Sequence, residues 1–260
     1  MPTEIVRRQT PEEAELLLKR EELAAVRAEL AERELGLADL HAQLKSFEGR
    51  YLRQVGALYA ELDEWEARIA ELDDSLDTNP TTKQRAAEAR KHADETHEAT
   101  HGDASKTPDF KPSAELKSLF RDVAKRIHPD FAKDEAERLL RTKLMAQANE
   151  AYTQGDTEAI QRILDEFGNS PESVEGEGIG AELIRLIRQI HQARKNISTI
   201  EQELGELRTS EIAQLKMNAD AAEREGRDLL AELAATVHEQ IADSRKRHET
   251  LTTELKRHGR

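Results

Sequence analysis

The residues best able to do chemistry or to recognise a partner lie in RDVAKRIHPDFAKDE, residues 121–135, where His128-Pro129-Asp130 interrupts a basic helix. Pro129 must end this helix at Ile127 or His128, because a residue that precedes proline is pushed out of the α region. The resulting turn is either a recognition site or only a connection between two helices. Its surroundings help to distinguish these interpretations.

A stripe of basic side chains leads into the turn. Lys117, Arg121 and Lys125 are spaced by four residues and therefore stack on one helix face, with Arg126 beside them. Residues 113–127 hold four basic and two acidic side chains, within a chain whose net charge is -14. Most such charge runs are solvated helix faces. Because this basic stripe runs directly into His128, its position favours a functional role over a solvated face.

Short amphipathic helices are predicted to position these residues, in a compact middle domain at residues 113–168. Ser113 is the expected N-cap of the first helix, and Asp134 caps the second, which runs to about residue 152. A third helix spans about residues 157–167. The predicted inward-facing residues are Leu116, Phe120, Val123 and Ile127 in the first helix and Leu140, Leu144, Ala148 and Tyr152 in the second.

Composition limits the remaining possibilities. Charged residues make up 35% of the chain and aromatic residues 3%, a mixture typical of long helices and coiled coils. The acidic net charge argues against binding to nucleic acid or to an anionic membrane by the chain as a whole. The absence of cysteine excludes disulfides and thiol nucleophiles. We expect a soluble, cytoplasmic protein without a cofactor or a metal.

Heptad repeats flank the middle domain. In the first, at residues 1–77, every seventh residue is apolar from Leu16 to Leu72, including Tyr51 and Trp65. A second repeat at residues 181–258 begins near Leu183 and slips at RTSE, residues 208–211. The predicted fold class is therefore all-α, with two long coiled-coil helices around a small helical domain.

The intervening segments are predicted to be linkers. Residues 78–112 contain Asn79-Pro80 and almost no large apolar side chains, so they are expected to be a polar linker with at most a transient helix. Residues 169–180 are acidic and rich in glycine. The heptads are satisfied equally by an antiparallel hairpin within one chain or by a parallel homodimer.

LFRDVAKRIHPD, followed by NEAY at residues 149–152, resembles the J-domain of DnaJ co-chaperones. In that family a basic second helix ends in a His-Pro-Asp loop, and the antiparallel third helix ends in a sequence similar to NEAY. The short first helix of the family has no clear counterpart before Ser113. Phe110, the last helix of the middle domain or part of the coiled coil is expected to replace it.

The resemblance implies docking on a DnaK-class chaperone and stimulation of its ATPase. Lys117, Arg121, Lys125 and Arg126 would face an acidic chaperone surface, while His128 and Asp130 would make directed contacts from a loop shaped by Pro129. The coiled coil would recruit a client protein that the sequence does not identify. The alternative is a structural coiled-coil scaffold with an inactive spacer. With no phosphate-binding loop or catalytic motif, an enzyme is not expected.

Overall fold

The computed structural model describes residues 10–101, 110–168 and 178–258, and within these ranges the chain is helical and contains no strand. This confirms the all-α class. The helices are α1 (Pro11–Tyr51), α2 (Ala57–Leu76), α3 (Pro80–His101), α4 (Ala114–Ile127), α5 (Glu135–Gln154), α6 (Thr157–Gly168), α7 (Ile179–Thr209), α8 (Glu211–Arg224) and α9 (Leu229–His258). Within the described ranges no helix is long and apolar enough to span a membrane.

Helix α1 begins with a cap formed by Thr10 and Glu13. Thr10 Oγ1 accepts a hydrogen bond from the Glu13 backbone N–H at 3.2 Å, and Glu13 Oε2 accepts one from the Thr10 backbone N–H at 2.9 Å. This reciprocal pair satisfies two backbone donors that a helix start leaves unpaired. A π-helical turn at Leu52–Gly56 then joins α1 to α2. The chain is thus helical from Pro11 to Leu76, nearly as the heptads predict.

Two compact units form from separate parts of the chain. The first comprises the described parts of residues 1–42 and 110–209, and the second the described parts of residues 43–109 and 210–260. In the first unit, α1 and α7 share an apolar seam. Its buried members are Leu16, Leu23, Val26, Leu30, Phe131, Leu186, Ile190, Ala193, Ile197, Ile200 and Leu204.

Ion pairs along this seam establish the direction of the helices. Arg20 pairs with Glu182 at 2.6 Å and Arg33 pairs with Glu201 at 3.0 Å, so the position along α7 advances with the position along α1. The two helices are therefore parallel and belong to one chain. The pairing within one chain is thus parallel and differs from the antiparallel hairpin that the heptads allow.

The segment predicted as a polar linker, residues 78–112, instead contains helix α3. Its Asn79 Oδ1 accepts the backbone N–H groups of Thr81 and Thr82 at 3.0 Å each, and Pro80 occupies the first helical position. Asn-Pro is thus a helix start here, not a break. Arg90 of α3 pairs with Glu64 and Glu71 of α2 at 2.5 and 2.9 Å, so polar contacts compensate for the scarcity of large apolar residues.

Gly56 explains how closely α3 approaches α2 in the second unit. A Cβ atom at this position would lie 3.1 Å from Leu52 Cδ2 and 3.1 Å from Thr100 Cγ2. Thr100 belongs to α3, so α3 packs against this glycine in the turn that precedes α2. On the other side of α2, Leu62 packs with Val237 and Ile241 of α9.

The C-terminal heptad region is broken twice. The first break is at the predicted slip, where Ser210 caps α8 by accepting the backbone N–H of Ala213 at 3.4 Å. The second, after Arg224, is not predicted from the heptads. Gly226 has φ +78° there, and Asp228 accepts the backbone N–H of Ala231 at 3.1 Å. A left-handed glycine ends α8 because other residues adopt that conformation only with strain.

The J-like unit, residues 113–168, has the predicted caps. Ser113 Oγ accepts the Leu116 backbone N–H at 3.0 Å, and Asp134 Oδ1 accepts that of Glu137 at 2.8 Å. Leu140 is 41% exposed, so its predicted inward position is wrong. The buried residues of this core from α4, α5 and α6 are Leu116, Phe120, Val123, Ala124, Ile127, Leu144, Met145, Ala148, Ala151, Tyr152, Ile160, Ile163 and Leu164.

Helix α1 completes this core. Ala31, Leu35 and Ala38 are buried in the same apolar cluster as Phe120 and Tyr152. The partly buried ring of Phe110 also lies 5.5 Å from that of Tyr152. Helix α1 and Phe110, two of the elements that the sequence analysis names as replacements for a first helix, therefore pack against this core.

Candidate functional site

The His128-Pro129-Asp130 triplet, named the docking tip for the role that the sequence predicts, is a tight turn between α4 and α5. His128 ends α4 with φ -53° and ψ +133°, outside the helical region as an X-Pro junction requires. Pro129–Phe131 form a 3₁₀ turn, in which the Phe131 backbone N–H donates to the His128 carbonyl at 3.1 Å. The turn stops one helix and aims two polar side chains in defined directions.

His128 is buried and makes contacts through both ring nitrogens. Its Nδ1 accepts the backbone N–H of Asp130 at 3.2 Å, and its Nε2 lies 3.0 Å from Glu34 Oε1 on α1. Because Nδ1 is an acceptor in this arrangement, a neutral ring carries its proton on Nε2 and donates it to Glu34. Only 5% of the side chain is exposed. The imidazole is thus oriented by its own loop and by α1.

Asp130 is held by α7. Asn196 Nδ2 donates to both carboxylate oxygens at 2.7 Å, and Gln192 orients the Asn196 amide by donating to its Oδ1 at 3.1 Å. The Asp130 side chain is 9% exposed. Burial raises the pKa of Asp130, an effect that the nearby His128 opposes and that Glu34 reinforces. Both polar side chains of the docking tip are therefore engaged by the chain's own long helices.

Only two of the four basic side chains of the stripe are paired with acidic residues that the structure describes. Lys117 Nζ lies 3.4 Å from Asp39 Oδ2, and Arg121 Nε lies 2.7 Å from Glu32 Oε1, so α1 supplies both counter-charges. Lys125 and Arg126, nearest the docking tip, are exposed. Among the described residues neither side chain has an ion-pair partner. The predicted surface is thus divided into an occupied part and an open part.

Arg141 is the principal residue of the site that the sequence analysis missed. It is 8% exposed, and its Nη1 donates to the carbonyls of Arg126 and His128 at 2.9 and 3.3 Å. Glu137 Oε1 accepts from Arg141 Nη2 at 2.6 Å. Arg141 therefore satisfies carbonyls at the end of α4 and joins that helix to α5. Its position four residues after Glu137 is the signal that identifies the pair.

Tyr152, the last residue of NEAY, links the J-like unit to α1. It is fully buried, and its hydroxyl donates to Asp39 Oδ1 at 3.2 Å. The other oxygen of Asp39 faces Lys117. Burial raises the pKa of Tyr152, and the Asp39 carboxylate adds to the shift. One carboxylate of α1 thus contacts the last residue of NEAY and the first residue of the basic stripe.

The raised pKa of Asp130 predicts an unusual pH dependence. A carboxyl group whose folded pKa is raised contributes stability below its ordinary pKa and loses that contribution as pH rises through the folded value. We therefore expect the wild-type protein to gain free energy of unfolding relative to Asp130→Asn as the pH falls from about 6 to about 4. Urea unfolding of both proteins across this range measures the difference.

Both proteins carry the other carboxylates, so most of their contributions to the pH dependence of stability cancel in the difference. Glu34 and His128 face Asp130 and are retained in the variant. A stability difference that stays constant over this range, or that shrinks as the pH falls, contradicts the expected role of burial.

Compared with known proteins, the chain matches no family model, no curated protein and no solved structure. The resemblance to J-domains therefore depends on the sequence motifs alone. Within the described part of the chain, no group of three or more histidine, cysteine or acidic side chains could hold a metal ion.

Proposed function

We propose that this protein is a J-type co-chaperone whose docking tip is held closed by its own long helices. The main support for this proposal is the turn at residues 128–130. It ends a basic helix and orients His128 and Asp130 beside the exposed Lys125 and Arg126. The tip would dock on a DnaK-class chaperone and stimulate its ATPase. The basic side chains would favour encounter and orientation with an acidic surface.

No reaction takes place at His128 in this proposal. The hydrolytic site belongs to the chaperone, and this protein acts by favouring the chaperone conformation that hydrolyses ATP. The long helices, as coiled-coil segments in the cytoplasm, recruit a client and bring it to the chaperone. This division of roles agrees with a chain that has two flanking helical regions and a small central unit.

The contacts to Glu34 and Asn196 would make docking conditional. A partner that needs His128 and Asp130 must replace both sets of hydrogen bonds, so the competent state is only a fraction of the molecules. The apparent affinity for the chaperone falls in proportion to that fraction. Binding of a client to the long helices is a natural way to release the tip, because the contacting residues belong to α1 and α7.

Single-turnover ATP hydrolysis by a DnaK-class chaperone tests the proposal. We expect saturating wild-type protein to accelerate hydrolysis, and the His128→Gln variant to lose most of the acceleration. Circular dichroism provides the control for folding. Absence of acceleration over a wide concentration range, or equal acceleration by both proteins, would exclude this function.

A structural scaffold is the second candidate, and one observation favours it. Within the docking tip, His128 and Asp130 already have partners inside the chain and are almost fully buried. In a scaffold these contacts would be permanent and would fix the J-like unit on the long helices. The same ATPase measurement separates the candidates, since a scaffold would leave the hydrolysis rate unchanged.

A further inference from the structure

An open groove continues the face of α1 on which the J-like unit packs. Ala31, Leu35 and Ala38 contact that unit, and Arg20, Ala24, Arg27 and Ala28 precede them at spacings of three and four on the same side of the helix. The groove has a volume of about 540 Å³. Its lining residues are Arg20, Leu23, Ala24, Arg27, Ala28, Lys125, Leu186 and Gln189.

The floor of this groove suits another helix. Leu23 and Leu186 are buried members of the seam between α1 and α7, and they form the apolar base. Ala24 and Ala28 are one turn apart on α1, and side chains this small let a second backbone come close. An amphipathic helix placed here would extend the packing that the J-like unit begins at Ala31.

The positive charge of the groove favours a negatively charged partner. Arg27 stacks over the Phe131 ring at 4.2 Å, and its Nε is buried without a hydrogen-bond partner among the described residues. Burial lowers the pKa of Arg27, and the neighbouring cation Arg141 lowers it further. Lys125 adds a second charge at the rim. Neither Arg27 nor Lys125 has an ion-pair partner in the part of the chain that the structure describes.

We propose that this groove binds an acidic amphipathic helix of a partner protein, with carboxylates on Arg27 and Lys125 and apolar side chains on Leu23 and Leu186. A half-buried guanidinium without a counter-charge is costly, and a carboxylate would supply both the charge and the missing acceptor. A helix bound in this groove would cover the apolar floor and pair with the basic rim at the same time.

This inference depends on the proposed function only in treating the long helices as the recruiting element. Docking in the groove needs no chaperone and no ATP. A binding measurement can therefore fail while ATPase stimulation succeeds, or the reverse, and the two results remain distinguishable.

The test uses the full chain and a fluorescein-labelled helical peptide of about three heptads, with leucine on one face and glutamate on the other. Fluorescence anisotropy should give saturable binding. A matched peptide with glutamine in place of glutamate, or the double variant Arg27→Gln/Lys125→Gln, should weaken binding by about tenfold. Arg33→Gln is the matched control, because Arg33 lies on α1 and pairs with Glu201.

Other results would overturn the proposal. Absence of saturable binding, equal binding of the two peptides, or equal binding by wild type and the double variant would exclude an acidic helix. If inorganic phosphate raises the melting temperature of wild type alone while no peptide binds, the groove is a simple anion site. If peptide does not bind and self-association in sedimentation velocity depends on Arg27, the occupant is a second copy of this chain.

Discussion

Replacing both Glu34 and Asn196 with alanine is expected to lower, by about tenfold, the concentration of this protein that gives half-maximal stimulation of a DnaK-class ATPase. Glu34 contacts His128 Nε2 at 3.0 Å, and Asn196 donates twice to Asp130 at 2.7 Å. Hydrogen bonds to charged groups contribute about 1.5–3 kcal/mol each. Their loss should therefore raise the fraction of molecules with an accessible docking tip.

The expected change is below the full sum of these interactions, because Phe131 still anchors the loop. Its ring is buried in the seam between α1 and α7 and lies under Arg27. The apolar contact also keeps the J-like unit close to the long helices after the polar contacts are removed. Release is thus expected at the tip, with α4 and α5 remaining in place.

Matched variants make this result specific. Glu201→Ala removes an exposed ion pair between α1 and α7 at 3.0 Å and should leave stimulation unchanged. Adding His128→Gln to the double variant should abolish stimulation. If the double variant behaves as wild type, the contacts of the tip do not control docking; if it stimulates without His128, the tip is not the docking element.

Replacing Leu35 with alanine is expected to destabilise the first unit by about 3 kcal/mol. Leu35 is 6% exposed and belongs to the apolar cluster of Phe120 and Tyr152, although it lies far from both in the sequence. Its truncation would leave a cavity where α1 completes the J-like core. Hydrogen exchange should show faster opening of α4, α5 and α6.

Leu18→Ala is the matched control on the same helix. Leu18 is 60% exposed, so its truncation should change the free energy of unfolding by less than about 0.5 kcal/mol. Equal effects of the two substitutions, or exchange in α4 to α6 that does not respond to Leu35→Ala, would contradict the role of α1 as part of this core.

Helix α1 has two different roles in these predictions. Leu35 and its apolar neighbours make α1 a structural part of the J-like unit, whereas Glu34 engages the docking tip at its edge. A single helix turn thus combines a permanent contact with a polar one that a partner could replace. Under the proposed function, release of the tip would therefore not require the J-like unit to dissociate.

The sequence by itself determined most of the helices and the turn at Pro129, although it missed α3 and the break after Arg224. Thr10, Ser113, Asp134 and Ser210 cap the helices that the pattern predicts, and the slip near residue 210 is a helix break. These features depend on interactions between residues at most four apart, such as cap hydrogen bonds and apolar spacing. Side-chain identity is enough to predict them.

Only the tertiary structure decided which helices meet and in which direction. The heptads of α1 and α7 do not encode a parallel pairing within one chain, because an apolar seam accepts either direction. Nor could the sequence single out Glu34 as the partner of His128, since the two are 94 residues apart and the chain holds 53 acidic residues. Contact between them requires α1, α4 and α7 to pack together, and that packing covers a docking tip whose sequence alone suggests exposure.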